Sequence, residues 1–535
     1  MKKIILSAVA ASALFFTYSC NTDFDTNVEA VAVTSGSADF TKYVALGNSL
    51  TSGYRDNALY LDGQVESYPN IIASQMAKAG SGEFLQPLMP DNVGGFSNFK
   101  NPATGAYLFP GKLTLQVTDV LDGNTGAVLG KTMTPLNAAP VSAFTKVSGS
   151  YNNLGVPGAK SFHLVAEGYG NEQGIALGVS NPYFVRFASS ASTSVLKDAM
   201  AAKPTFFSLW IGNNDVLSYA TSGGVGKDQT GNLDPRTYGS NDITDPNVLA
   251  ASIKGVLDGM KAVGATKGVI ANIPNVENIP FFTTVPYAPL SAYAIGKNNQ
   301  TVGEATIDAL NTRLYGPVKQ VLTALGQGDR INLLSKTEAN PLLIKDETLT
   351  DLSAQITAAL TPAVGAQTAY AVGQAFGQAR QTKAGDLVPL STRAVIGTAP
   401  STSVYPYAQA PLNAYGISFP LEDQHILIPS EITAIRTATT AYNASIKALA
   451  SSYGLAFVDA NAKMAELASS SGLQFDGVKY TASFVTGGSF SLDGVHLTGR
   501  GYAVIANEFI KAINATYGSS LPQVNPNVYS GVKFP

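Results

Sequence analysis

The amino-acid sequence predicts an α/β protein, a three-layer sandwich in which helices flank a central, mostly parallel sheet. Apolar runs that stop at glycine or proline, as at 43–47, 204–212 and 267–274, are typical of strands covered on both faces. Segment 454–460 repeats this pattern, and 247–260 between such runs has apolar residues on one helical face. Strands alternating with helices imply right-handed crossovers and therefore parallel pairing.

The N-terminus has the pattern of an export signal. Two lysines precede an apolar stretch, Ile4 to Phe16, that is too short to span a bilayer. The stretch is followed by Cys20, the only cysteine, so that no intrachain disulfide can form. The segment resembles bacterial lipoprotein signals, in which this cysteine becomes the lipidated first residue. The resemblance implies an exported protein that a lipid anchor holds on the outer membrane; ordinary cleavage and release is the alternative.

The rest of the chain divides by composition. Residues 21–38 are small, polar and acidic, which predicts a flexible tether. The main domain is expected at 39–520, followed by a C-terminal tail at 521–535. Two segments break the alternation: 85–149, with a predicted β-hairpin, and 276–424, which is predicted to be helical. We expect both to be insertions that cap or flank the sheet, without folding as separate domains.

Composition also excludes several functions. Charged residues make up 13% of the chain, the net charge is -3, and no basic stripe appears, so nucleic acid is not an expected partner. The chain has three histidines, of which His163 is expected to be structural and His425 to be structural or part of an interface. With one cysteine and so few histidines, neither a zinc site nor any other metal or cofactor is expected.

Polar residues follow several of the predicted strands, where an open parallel sheet gathers its working residues. Ser49 follows the first apolar run, Gly158 lies in "GVPGA", Asn214 follows the run at 204–212, and Asp493 precedes His496 by three residues. Each has a plainer structural interpretation. Ser49 suits a turn, Asn214 a helix cap, Gly158 a position that needs backbone freedom, and the Asp-x-x-His pair a surface turn.

Together these residue types match the needs of a serine hydrolase. A serine hydroxyl is a poor nucleophile until a base such as histidine takes its proton. The histidine needs an acceptor that fixes its tautomer, and a carboxylate supplies one. The oxyanion needs donors, which backbone N–H groups and an asparagine amide provide.

In chain order, the four pieces resemble the four blocks of the SGNH or GDSL hydrolases, a family of esterases and lipases. "GNSL" (47–50) matches the Gly-Asp-Ser-Leu block with Asn in place of Asp, and Gly158 corresponds to the oxyanion glycine. Asn214 lies in a full Gly-x-Asn-Asp block, and Asp493 with His496 matches Asp-x-x-His. The likeness covers about half of the chain. No Gly-x-Ser-x-Gly surrounds the serine, so the α/β-hydrolase motif does not match.

The resemblance implies a serine hydrolase that cleaves carboxylic esters of acyl lipids or acetylated glycans. Ser49 would be the nucleophile, His496 the base and Asp493 its orienting partner. The Ser49 N–H, the Gly158 N–H and the Asn214 amide would form the oxyanion hole. Two alternatives stay open from the sequence: an acyltransferase on the same fold, and a surface lipoprotein that binds without catalysis.

Overall fold

The computed structural model describes residues 32–409 and 411–535. The predicted signal peptide 1–20, its lipidation site Cys20 and the first part of the predicted tether lie outside the described residues. Among the helices that are described, none combines the length and the apolar character needed to cross a membrane.

The strands of the described chain form one central sheet and three two-stranded ribbons. In chain order they are β1 Tyr43–Gly47, β2 Leu113–Leu121, β3 Val128–Asn137, β4 Asn153–Gly155, β5 Phe206–Trp210, β6 Lys267–Ala271, β7 Leu343–Lys345, β8 Ala379–Gln381, β9 Ala456–Val458, β10 Leu473–Phe475 and β11 Val478–Tyr480. The ribbons β2–β3, β7–β8 and β10–β11 are antiparallel.

The central sheet has five strands in the order β4-β1-β5-β6-β9, and every pair in it is parallel. From β1 the chain adds β4 on one side and then returns to add β5 on the other. The order thus reverses beside β1, and in a doubly wound sheet ligands bind at such a switch point, beyond the carboxyl ends of the strands. The predicted parallel α/β architecture is confirmed.

Helices account for most of the remaining regular structure. The α-helices are Ser49–Ser52, Leu61–Val65, Tyr68–Met76, Pro182–Val185, Val195–Ala201, Asn214–Thr221, Pro246–Ala262, Pro280–Thr283, Ala292–Ile295, Gln300–Leu310, Gly316–Ala324, Ser353–Val364, Ala366–Phe376, Pro429–Tyr453, Ala460–Ala468 and Gly499–Tyr517. The helices predicted at 247–260 and after Pro429 are both present.

Side chains that alternate along each strand bury the two faces of the sheet in two separate cores. In β5, Phe207 and Leu209 pack into the core that includes the helices Pro246–Ala262 and Pro429–Tyr453. Phe206 and Trp210 point the other way, into the core that includes Gly499–Tyr517. Because both faces are covered, the strands are apolar throughout, and this explains the unbroken apolar runs of the sequence.

Within 85–149, all of which is described, regular structure consists of the hairpin β2–β3; the rest is turns and irregular chain. The hairpin extends from the sheet towards the second insertion. At its base Leu113 N–H donates to Asp56 O, and at its tip Gly123 N–H donates to Lys297 O, both over 2.8 Å or less. The Asp122 carboxylate also accepts the Asn299 amide over 3.0 Å. The hairpin thus bridges the sheet and the second insertion.

The regular structure of the insertion at 276–424 is mainly helical, and it also contains the ribbon β7–β8. Buried residues from Val285 to Ile428 pack into a hydrophobic core distinct from the two cores of the sheet, with Tyr315 and Phe376 among its largest members. A core of its own is the usual mark of a domain. The insertion also contacts the loop that carries Asp493 and His496, where Phe281 N–H donates to Gly494 O over 2.9 Å.

Both ends of the described chain pack on the body. Ser37 N–H donates to Tyr517 O over 2.8 Å, and Ala38 is buried. In the predicted tail, Leu521 is buried and the Ser530 hydroxyl contacts the Glu66 carboxylate. The folded body therefore includes residues on both sides of the boundaries drawn at 39 and 520.

Candidate active site

Ser49 lies directly after β1, at the switch point of the sheet. β1 ends at Gly47, and Ser49 is the first residue of the short helix Ser49–Ser52. Asn48 caps this helix, its Oδ1 accepting the Leu50 N–H over 3.0 Å. A β-carbon on Gly47 would lie 2.4 Å from Trp210 O, so only glycine allows this approach to β5.

The three residues predicted to form a catalytic triad lie within hydrogen-bond distance of one another. His496 Nε2 is 2.8 Å from Ser49 Oγ, and His496 Nδ1 is 2.9 Å from Asp493 Oδ2. These are the distances at which a base can take a hydroxyl proton and a carboxylate can hold the imidazole. Ser49 and His496 come from opposite ends of the chain, 447 positions apart.

The Asp493 carboxylate is almost fully buried, yet several donors surround it. Its Oδ1 accepts the N–H groups of Val495 and His496 over 2.9 and 2.8 Å, and its Oδ2 accepts the Asn57 N–H over 2.9 Å. Burial alone would raise the pKa of Asp493, but His496 and the backbone donors outweigh it and hold this pKa well below its ordinary value. Asp493 is therefore an anion across the neutral range, as an imidazole partner must be.

A turn after the first helix also contributes to the site, although no motif in the sequence indicates it. Asp56 and Asn57 both have positive φ, at 52° and 62°. This conformation aims the Asn57 N–H at Asp493, and the Asp56 carboxylate accepts the Leu492 N–H over 3.0 Å. Non-glycine residues with left-handed backbone are uncommon and cluster where the surrounding structure imposes them. Asn and Asp tolerate this conformation best, which was the one available hint.

Gly158 follows β4 with a φ of 80°, a conformation that favours glycine. Within the described chain its N–H and that of Ser49 donate to no protein acceptor, so both stay available for an oxyanion. The Asn181 amide donates to Pro157 O over 2.7 Å. Because the C=O and N–H of a trans peptide point in opposite directions, this bond also fixes the direction of the Gly158 N–H. Asn181 was not identified from the sequence.

Asn214 opens the helix after β5, with its amide directed towards the loop that carries Gly158. Its Nδ2 donates to Ala159 O over 2.9 Å, which leaves the second amide hydrogen available. The adjacent Asp215 accepts both the N–H and the hydroxyl of Ser161 over 2.8 and 2.6 Å. The two bonds tie the loop after β4 to the end of β5 and fix Asn214 relative to Gly158.

An apolar cavity of about 100 Å³ adjoins Ser49 and His496. Its polar lining comes mainly from the site itself and includes Asn213 and Asn214. The remainder is largely aliphatic and comes from several elements, among them Leu217, Val276, Ile279, Met464, Leu473 and Val504. Gly158 does not line this cavity, whereas Ser49 and Asn214, the other two residues predicted for the oxyanion hole, do.

The other two histidines lie outside the site. His163 is partly buried, stacks on Tyr169 with ring centres 4.7 Å apart, and its Nδ1 accepts the Lys160 N–H over 3.0 Å. Burial lowers the pKa of His163 to about 3, so it stays neutral. His425 lies in a turn before the helix Pro429–Tyr453. Neither contacts Ser49 or Asp493, in agreement with the structural roles expected for them.

Comparison with models of known protein families gives no match for this chain, and comparison with curated proteins gives no match either.

Proposed function

We propose that the protein is a serine hydrolase that cleaves carboxylic esters. The observation that carries the proposal is the hydrogen-bonded series from Asp493 through His496 to Ser49. The likeness of the four sequence blocks to SGNH hydrolases supports the same assignment. A lipoprotein that only binds its ligand would have no need for a buried carboxylate, an imidazole and a hydroxyl in this alignment.

In the first half of the reaction, Ser49 Oγ attacks the ester carbonyl while His496 Nε2 takes the hydroxyl proton. Asp493, ionised and bonded to Nδ1, stabilises the imidazolium that forms. The negative charge that develops on the carbonyl oxygen meets the N–H groups of Ser49 and Gly158 and the free amide hydrogen of Asn214. His496 then gives its proton to the leaving alkoxide, and an acyl group remains on Ser49.

In the second half, a water molecule attacks the acyl-Ser49 carbonyl while His496 accepts its proton. The second tetrahedral intermediate uses the same oxyanion donors. Its collapse releases the carboxylic acid and returns the proton to Ser49. If an alcohol or sugar hydroxyl replaced the water, the same residues would catalyse acyl transfer. Assays with added acceptors separate these two outcomes.

The cavity favours an acyl chain over an acetyl group as the acid part of the ester. Its wall beside Ser49 is apolar over most of its area, so a chain of several methylenes would bury apolar surface there. Each buried methylene contributes about 0.8 kcal/mol. An acetyl group would leave this wall uncovered. We therefore assign acyl esters, including lipids, as the substrate class ahead of acetylated glycans.

The site is tested with the full chain and an active-site probe. We expect a fluorophosphonate to label the protein and p-nitrophenyl esters to be hydrolysed. Ser49→Ala and His496→Ala should lose labelling and about 10⁴- to 10⁶-fold in kcat. Ser470→Ala, which changes an exposed serine away from the site, is the matched control and should behave as wild type. Wild-type protein that neither labels nor hydrolyses any ester would overturn the proposal.

We also propose that Cys20 carries a lipid that anchors the protein to the outer membrane. This rests on the resemblance of residues 1–20 to lipoprotein signals. Cys20→Ala should move the protein from the membrane fraction to the soluble fraction of a cell lysate. Unchanged membrane partitioning of this variant would contradict the anchor.

A further inference from the structure

The inserted region contains a second, larger cavity of about 1260 Å³ that is separate from the Ser49 site. Typical small-molecule sites in proteins enclose about 300–1,000 Å³. This one therefore has room for a ligand with one long chain or several. Its walls come from the segment after Phe282, the helix Gln300–Leu310 and the loop around residues 393–418.

The charges on the cavity wall are of one sign. Lys297, Arg313 and Arg393 line the cavity, and no aspartate or glutamate is among the described residues that do. This imbalance is local, because the whole chain has more acidic than basic residues, 37 against 34. Three cations that line the cavity and form no ion pair among the described residues favour an anionic ligand. Arginine in particular binds carboxylate and phosphate through paired donors.

The backbone that presents two of these cations is irregular and well held. Arg313 lies in a single π-helical turn, Asn311–Tyr315, which precedes Pro317. Proline has no N–H to donate to the Arg313 carbonyl, and its ring pushes that carbonyl away, which accounts for the widened turn. Lys297 has a φ of 53°, and its carbonyl accepts the N–H of Gly123 at the hairpin tip. The backbone at these two positions is therefore held in place, and both side chains are exposed at the cavity wall.

The uncharged lining narrows the ligand class. It is aliphatic, with Val302, Leu310, Leu314, Ile396 and Ile417 among its members, and no aromatic ring is found in the described lining. Sugars and nucleobases are usually held by stacking on aromatic faces, which this wall does not offer. Alkyl chains need no such face. We propose that the cavity binds an anionic amphiphile, with an alkyl chain along the aliphatic wall and a carboxylate or phosphate head at Arg313 and Arg393.

The test uses photo-crosslinking probes on the full chain, reconstituted in phosphatidylcholine nanodiscs. Ser49→Ala protein is used, so that the result is independent of any hydrolysis. One probe is a 16-carbon fatty acid with a chain diazirine, and a second is phosphatidylglycerol with the same diazirine acyl chain. The fatty alcohol of the same chain is the neutral control. Labelled peptides are then mapped by mass spectrometry.

We expect the anionic probes to label peptides within 284–314 and 393–418. Labelling by the alcohol should be at least about tenfold weaker, because the alcohol lacks the charged hydrogen bond to the arginines. The ratio of the two anionic probes tells a free fatty acid from an anionic lipid. Arg313→Gln with Arg393→Gln should reduce labelling by a similar factor. Arg236→Gln is the control. It changes an arginine outside the cavity whose side chain is 87% exposed, and it should leave the labelling unchanged.

Three results would overturn the proposal. In the first, the alcohol labels the cavity peptides as strongly as the acid. In the second, the arginine variants are labelled as strongly as wild type and keep its melting temperature. In the third, an acidic oligosaccharide such as oligogalacturonate displaces the fatty-acid probe whereas unlabelled palmitate does not.

Discussion

The backbone N–H of Asn57 donates to Oδ2 of Asp493 over 2.9 Å, and the same oxygen contacts Nδ1 of His496. The orientation of the carboxylate thus depends on a residue held at a φ of 62°. Tyr54 adds to this support: its hydroxyl donates to Asn57 O over 2.6 Å, and its ring lies 4.8 Å from that of His496. The turn after the first helix and the loop of the C-terminal block therefore position the imidazole together.

Asn57→Val should misplace this support, because a β-branched residue strongly disfavours the left-handed conformation. We expect kcat for a p-nitrophenyl ester to fall about 10- to 100-fold, as for misaligned catalytic groups generally, with KM little changed. Asn57→Gly is the matched control, since glycine adopts this conformation freely and keeps the N–H. A fully active, folded Asn57→Val enzyme would show that the Asn57 N–H has no positioning role.

Asn48, which stands where the SGNH pattern has Asp, forms a bond that an aspartate could not donate. Its Nδ2 donates to Asn213 Oδ1 over 3.1 Å, while its Oδ1 caps the Ser49 helix. Asn48→Asp keeps the cap, and the Asn213 amide can turn round to donate instead. We expect Asn48→Asp to retain esterase activity, whereas Asn48→Ala should cost about 1 kcal/mol of unfolding free energy.

A double-mutant cycle tests this pairing more directly. Asn213→Asp alone leaves an acceptor for the Asn48 amide and should also be tolerated. Combining it with Asn48→Asp places two buried carboxylates against each other. The double variant should therefore lose at least about 1 kcal/mol more unfolding free energy than the two single changes lose together. Urea unfolding of the four proteins measures this coupling. Additive effects would mean that the two side chains are energetically independent.

Much of the parallel sheet and of the candidate triad could be predicted because the signals are local or carried by residue type. Continuous apolar runs in the sequence predict β1, β5 and β6. The residue types of Ser49, Asp493 and His496 are those that a serine hydrolase needs, and this made them candidates. The roles of Asn57 and Asn181 could not be predicted in this way. Asn57 acts through its backbone N–H and Asn181 through a bond to a carbonyl, and both depend on loop conformations that residue type alone does not specify.

The inserted region shows a second limit of the sequence. Its helices Ser353–Val364 and Ala366–Phe376 are rich in alanine, which gives a helical pattern but little sign of what the helices pack against. The structure gives the region a hydrophobic core of its own. Residues far apart in the chain, such as Tyr315 and Ile417, meet in it, and the Tyr315 hydroxyl donates to Ile417 O over 2.5 Å. Periodicity predicts the helices, whereas the core depends on these long-range contacts.

Leu217 offers a test of the acyl cavity. It lies on the helix Asn214–Thr221, is partly buried and lines the cavity beside Ser49. Leu217→Trp should fill that space and lower kcat/KM for an octanoate ester at least about tenfold relative to the acetate ester, because several buried methylenes are lost. Leu233→Trp, at a position 65% exposed and away from the cavity, is the control. An unchanged octanoate-to-acetate ratio would place the acyl chain elsewhere.

Three carboxylates meet near the point where the second insertion joins the helix Pro429–Tyr453. Oxygen atoms of Glu347, Asp423 and Glu431 lie within 4.8 Å of one another. Burial is the main cause that raises the pKa of Glu431, and repulsion from Asp423 and Glu347 adds to it, bringing the value to about 8. The pKa of Asp423 is raised by burial and by Glu347. Glu431 also accepts the Ile428 N–H over 2.8 Å at the start of the helix Pro429–Tyr453.

A raised carboxyl pKa makes stability fall as pH rises. Between the ordinary pKa of about 4.5 and the folded value of about 8, the folded state holds a proton that the unfolded chain has lost. The melting temperature of the wild type should therefore drop from pH 5 to pH 9. Glu431→Gln keeps the acceptor for the Ile428 N–H and removes the charge. Its melting temperature should therefore vary less with pH and be about 3 °C above that of wild type at pH 9.

The control for this prediction is Glu338→Gln, which changes an exposed glutamate outside the cluster. It should leave the pH dependence of the wild type unchanged, because Glu338 does not belong to the group of three carboxylates. Differential scanning calorimetry of the three proteins between pH 5 and pH 9 gives the comparison. If wild type and Glu431→Gln lose stability in parallel, the proton linked to folding is not on Glu431.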